Sequence, residues 1–150
     1  MLFDKKLIRV NAETKDKWDC LKKMAHLLAL NDILTNEDEF FASVKEREEF
    51  ISTGIGYGIA VPHGRSNVAK SLAIAVFHLK NTIDFNSLDD KPVKLLFMVA
   101  VPEKYASEYM KILSAVSKFL HIPDTINNLF SVNSVDQIYE ILKGVEYENK

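Results

Sequence analysis

Two hydrophobic periods alternate along this chain. Leu7-Ile8-Arg9-Val10 fits a short first strand. From Trp18, apolar residues recur at Leu21, Met24, Ala25 and Leu28, which predicts a helix running to about Leu30 with Thr14 as its N-cap. Asn31-Asp32 breaks it. A second helix takes its apolar face from Phe40, Phe41 and Val44. Thr35 is the candidate cap, Glu37, Asp38 and Glu39 suit its positive end, and it should finish near Glu48 to Phe50. Continuous apolar runs then replace the helical spacing. Gly58 to Val61, Leu72 to Leu79 and Val93 to Val101 predict buried strands, and Pro62 and Pro102 close the first and the last. Thr82 to Pro92 reads as a loop or hairpin, with Asp89-Asp90 as a turn signal. Helical spacing returns at Met110, Leu113, Val116 and Leu120 behind a Ser107 cap. A short helix follows at Ile126, Leu129 and Phe130, and a last one holds Val135, Ile138 and Leu142 between Ser134 and Gly144. The expectation is one α/β domain over residues 1–150, with a central mixed β-sheet flanked by helices on both faces.

Composition narrows the function classes. A chain of 150 residues that is 47% hydrophobic can close a single core. A formal charge of -2 gives no bulk electrostatic case for nucleic acid or a membrane surface. A lone cysteine, Cys20, excludes an internal disulfide and fits a reducing compartment. MLFDKKLIRV lacks the apolar core of a signal peptide, and the run Leu95 to Val101 is far too short to span a bilayer. The expected localisation is cytoplasmic, without membrane insertion.

Candidate chemistry concentrates between Arg47 and His63, REEFISTGIGYGIAVPH. Gly54, Gly56 and Gly58 do not make a G-x-G-x-x-G fingerprint, no helix follows them, and no Gly-Lys-Ser/Thr completes a P-loop. A tight loop feeding a strand explains them better than a nucleotide site. His63, just past the predicted strand, is by spacing alone a surface residue or a nucleophile. An imidazole with the usual pKa of about 6.5 is largely neutral at pH 7 and able to form covalent intermediates. A phosphoryl group on it would call for positive charge and donors. Arg47, Arg65, Ser52 and Thr53 are the nearby candidates in sequence.

Arg47-Glu48, Thr53-Gly54-Ile55-Gly56 and Gly58-Ile59-Ala60-Val61-Pro62-His63 together closely resemble the type-2 IIA domain of the bacterial sugar phosphotransferase system (PTS), the fructose/mannitol-like class that also holds nitrogen-related regulatory IIA proteins. The resemblance continues through Val93 to Pro102 and the helix holding Tyr109 to Leu113, and so covers nearly the whole chain. It implies that His63 accepts a phosphoryl group on Nε2 from phosphorylated HPr and passes it to a cysteine of a IIB domain, with no metal and no cofactor. It implies phosphate stabilisation by Arg47, whose alternative is a cation at a helix C-terminus. One departure is plain. Where fructose/mannitol-like members usually carry a second histidine, this chain has Tyr109, which can donate a hydrogen bond but cannot become a cation. The resemblance also leaves a second role open, a regulatory protein that binds partners according to its phosphorylation state.

The other chemistry-bearing residues have bland readings. His26, His78 and His121 lack the spacing of a metal motif. Cys20 is a packing residue on an amphipathic helix, Asp89-Asp90 a turn, and Glu37 to Glu39 and Glu46 to Glu49 solvated faces.

Overall fold

The computed structural model describes residues 2–65 and 67–145. Its elements run β1 (Ile8–Ala12), α1 (Lys17–Leu30), α2 (Glu37–Phe50), β2 (Gly54–Gly56), β3 (Ile59–Ala60), β4 (His63–Arg65), β5 (Ala73–Ile83), β6 (Val93–Val101), α3 (Glu108–Leu120), α4 (Thr125–Phe130) and α5 (Val135–Leu142). The strands form a mixed sheet in the order β1-β5-β6-β3-β2, and β4 also pairs with β6. β5 and β6 are antiparallel, β1 runs parallel to β5, and β3 and β4 both run parallel to β6.

The apolar runs of β5 and β6 are continuous because both faces of the sheet are covered. Ala75, Phe77, Leu79, Leu96, Met98 and Ala100 pack towards α1 and α2, against Leu21, Met24, Leu28, Phe40 and Val44. Their alternates Ile74, Val76, Leu95, Phe97, Val99 and Val101 pack towards α3, α4 and α5, against Ile112, Val116, Leu120, Leu129, Ile138 and Leu142. The α/β architecture with helices on both faces is therefore as the hydrophobic pattern implied.

Several boundaries differ from the sequence reading. The N-cap of α1 is Asp16, whose side chain accepts from Asp19 N, and that of α2 is Asn36, accepting from Glu39 N. Thr14 and Thr35 lie too early, because a cap must sit immediately before the first helical residue to reach the N–H three positions on. Ser134 caps α5 as expected, accepting from Gln137 N, whereas Ser107 precedes α3 without a capping bond. β5 continues to Ile83, past the expected end at Leu79, and β1 extends to Ala12. The supposed glycine loop is a small hairpin, β2 antiparallel to β3, turning through Tyr57 and Gly58 at positive φ. Glu48 is buried rather than solvated.

Candidate functional site

β3 stops at Ala60 because Pro62 has no N–H to continue the ladder. The Pro62 carbonyl nevertheless accepts from Val99 N at 3.0 Å, and the chain re-enters the sheet as β4, with His63 opposite Val99 and Arg65 opposite Val101. His63 is thus the first residue of a strand, held by backbone on a buried neighbour, rather than a residue just beyond one. Gly64 behind it has no room for a side chain, since a Cβ would lie 2.6 Å from Phe40 Cε1.

The half-buried His63 ring stacks on Tyr109 of α3, with centroids 4.0 Å apart and planes inclined by 28°. The phenol donates to the Val61 carbonyl over a long 3.4 Å. Burial pushes the Tyr109 phenol up to about 12, against the opposing pull of the Arg47 charge, so the hydroxyl stays protonated and able to donate throughout the neutral range. Arg47, in the last turn of α2, donates Nη1 to the Ile51 carbonyl at 2.7 Å. It therefore does serve the helix C-terminus, as its bland reading proposed. A guanidinium carries five donors, however, and its charge still reaches Tyr109. His63 and Tyr109 are in direct contact, and Arg47 lies within electrostatic range of Tyr109.

Ser52 and Thr53 are engaged elsewhere. Thr53 Oγ1 donates to Glu48 Oε2 at 2.6 Å, and Thr53 N donates to Glu48 Oε1 at 2.8 Å. Ser52 Oγ donates to the Phe85 carbonyl at 2.7 Å and accepts from Gly54 N. Both hydroxyls anchor the hairpin rather than face a ligand. The Arg65 backbone belongs to β4, and its side chain lies outside the described residues.

The sequence reading missed Lys17 and Glu48. Lys17 Nζ lies 3.0 Å from Glu48 Oε1, with side chains only 9% and 1% exposed. It also donates to the Phe85 carbonyl and sits 4.5 Å from the Phe85 ring centroid. This buried pair ties the start of α1 and the end of α2 to the strand that leads towards His63. A signal was present: Glu48 follows Phe40 and Val44 at intervals of four on the apolar face, and Lys17 precedes Leu21 by four.

The other three histidines are each bonded to protein: His26 Nδ1 to Glu37, His78 Nε2 to the Phe130 carbonyl and His121 Nδ1 to the Ser117 carbonyl. Among the described residues no group of three or more His, Cys, Asp or Glu is placed to hold a metal ion. Cys20 is fully buried, and burial pushes its thiol up to about 12.

A family profile described as the phosphoenolpyruvate-dependent sugar phosphotransferase system, EIIA 2, matches residues 1–145. The chain belongs to this EIIA family. Within it, the chain is 34% identical over 137 residues to a nitrogen regulatory protein of Pseudomonas aeruginosa, covering 91% of this chain and 89% of the relative. It is also 34% identical over 110 residues to the PTS system fructose-specific EIIA component of Haloferax volcanii, covering 73% of this chain and 71% of the relative. Among solved structures, the nitrogen regulatory protein IIA-Ntr from Neisseria meningitidis superposes with a TM-score of 0.87 at 27% identity, covering 94% of this chain and 96% of that one. EIIA relatives of both kinds, regulatory and sugar-specific, thus share most of this domain.

Proposed function

We propose that this EIIA domain is a phosphoryl carrier whose acceptor is His63. The reading rests on one arrangement: a half-buried imidazole, laid on β4 and stacked on Tyr109, with the Arg47 charge felt at Tyr109. In the step, Nε2 of neutral His63 attacks the phosphorus of a phosphohistidine carrier of the HPr type. A new N–P bond forms, the donor's N–P bond breaks, and its electron pair returns to the donor imidazole. Arg47 balances charge on the transferring oxygens, which is the main demand of phosphoryl transfer. Tyr109 holds the ring plane and offers a neutral donor where a second histidine would offer a cation. In the sugar branch, a IIB thiolate then attacks the same phosphorus, forming an S–P bond and releasing imidazole for the next cycle.

The regulatory alternative is favoured by one observation, the near full-length similarity to a nitrogen regulatory protein. In that reading His63 is phosphorylated by the same step, and the phosphorylated and free forms differ in the partners they bind.

The decisive measurement is intact-mass spectrometry after incubation with phosphoenolpyruvate, Enzyme I and HPr. The expected result is one acid-labile phosphoryl group on the wild type and none on His63→Ala. An unmodified wild type, under conditions where another EIIA domain is modified, overturns the carrier reading. Adding a purified IIB domain then separates the branches: loss of the phosphoryl group to the IIB cysteine marks transport, and its retention marks regulation.

A further inference from the structure

The fold holds a cavity of about 760 Å³ beside β3 and the start of β6, away from the far end of β6 on which His63 is laid. It opens between the β2–β3 hairpin, the start of β6 and the α3–α4 connection. Ile59 and Leu120 are its buried inner surface, Ile126 and Phe130 form one side, and the half-exposed Ile122 stands at its mouth. Gly58 gives the cavity part of its shape: Phe130 Cζ lies 2.9 Å from where a Cβ would be, and the residue's φ is +78°. The volume falls within the roughly 300–1,000 Å³ of small-molecule sites, and walls that are mainly apolar with a few placed polar groups are their usual construction.

The cavity is separate from the candidate phosphoryl site. Ile59 pairs with Leu95 of β6 whereas His63 pairs with Val99, an offset of about 13 Å at the usual strand rise. The placed charges are mainly cationic. Lys91 and Lys94 both line the cavity, and among the described residues neither has an ion-pair partner within 4.0 Å; Lys94 Nζ makes one long bond of 3.4 Å to the Lys80 carbonyl. Asp124 is the one carboxylate among the lining residues described, and Asp89, which accepts from Tyr57 N just outside the lining, lies within electrostatic range of Lys91. An apolar chamber lined by two lysines complements a molecule with an apolar body and a single negative head.

We propose that this cavity is a binding site for a small amphipathic monoanion, an alkyl or aryl-alkyl carboxylate in class, distinct from the phosphoryl site. Ile59 and Leu120 receive the apolar body, and Lys91 and Lys94 receive the carboxylate. Binding does not depend on any transfer chemistry at His63, so failure of one reading leaves the other standing.

The test is isoleucine-methyl NMR of the full chain, titrated with decanoate and, in parallel, with decanol. Saturable shifts at Ile55, Ile59, Ile122 and Ile126, with Ile8 and Ile74 unmoved, are the expected response to decanoate, and decanol should bind roughly tenfold more weakly or worse. Ile122→Trp, a substitution at a half-exposed position, fills the mouth and should abolish the shifts. Lys91→Glu with Lys94→Glu leaves the chamber open and should weaken decanoate by about tenfold or more while sparing decanol. Absence of saturable shifts in the wild type overturns the proposal. So do equal binding of decanoate and decanol, or undiminished decanoate binding in the lysine variant.

Discussion

Replacing Lys17 by methionine isolates the buried ion pair. The substitution keeps the length and apolar stem of the side chain and removes only the ammonium. What remains is Glu48, its side chain 1% exposed, with two hydrogen bonds from Thr53 but no countercharge. Removing one partner of a buried pair typically costs about 3–5 kcal/mol, because the other charge is left desolvated. At roughly 2–4 °C per kcal/mol for a domain of this size, the thermal midpoint should fall by about 6–20 °C. Urea denaturation followed by far-UV circular dichroism measures the free energy directly. The double variant Lys17→Met/Glu48→Gln should recover much of the loss, because a neutral amide can still accept from Thr53 while no charge is buried. A loss below about 1 kcal/mol for Lys17→Met, the range of exposed ion pairs, would refute the buried-pair account. So would a double variant as unstable as the sum of its singles.

Further substitutions probe the site and its support. Tyr109→Phe keeps the stack and removes the hydroxyl donor, so phosphoryl transfer should slow modestly, by about two- to threefold, and unchanged kinetics would count against a role for the hydroxyl. Tyr109→Ala removes a ring contact of about 0.5–1.5 kcal/mol and should slow transfer by about two- to twelvefold; equal rates for both variants in rapid-quench transfer would deny the ring a positioning role. Gly64→Ala drives a methyl into Phe40 and Val44 and should cost about 1–3 kcal/mol in urea denaturation. His78 is desolvated and its Nδ1 is buried without a hydrogen-bond partner among the described residues, so its folded pKa lies below the usual 6.5. The unfolded chain therefore takes up the proton first, and stability that is complete above pH 6.5 should decline as the pH falls below it. His78→Gln should flatten that part of the stability curve, and superimposable profiles would exclude His78 as its source.

The sheet was legible because β5 and β6 are buried on both faces and their apolar runs leave little choice of element. The five α-helices described were legible for the converse reason, each showing one apolar stripe. What escaped lacks such a signal. β2 is Gly-Ile-Gly and β4 is His-Gly-Arg, strands too short and too poor in apolar residues to carry a period; both exist because β3 and β6 offer them an edge. Capping by Asp16 and Asn36 was hidden behind neighbouring threonines of the same chemical type. The residues at the candidate site stood out by resemblance of the motif around His63, since spacing alone left that histidine ambiguous. The contact between His63 and Tyr109 belongs to tertiary structure, as does the burial of Lys17 against Glu48, which the four-residue rhythm only hints at.

The order of the sheet also has a consequence for synthesis. β1 leaves the ribosome long before its neighbour β5, with two helices and three short strands between them in the chain. Until β5 arrives, Ile8 has no core to enter and the strand edge has no partner, and pairings over such separations are slow to close. A nascent chain that has reached only β5 already contains Arg47 and His63, yet it lacks both β6, on which His63 is laid, and Tyr109, on which its imidazole stacks. The assembled candidate site therefore belongs only to a chain whose central strand and third helix are in place, and an unfinished chain lacks it.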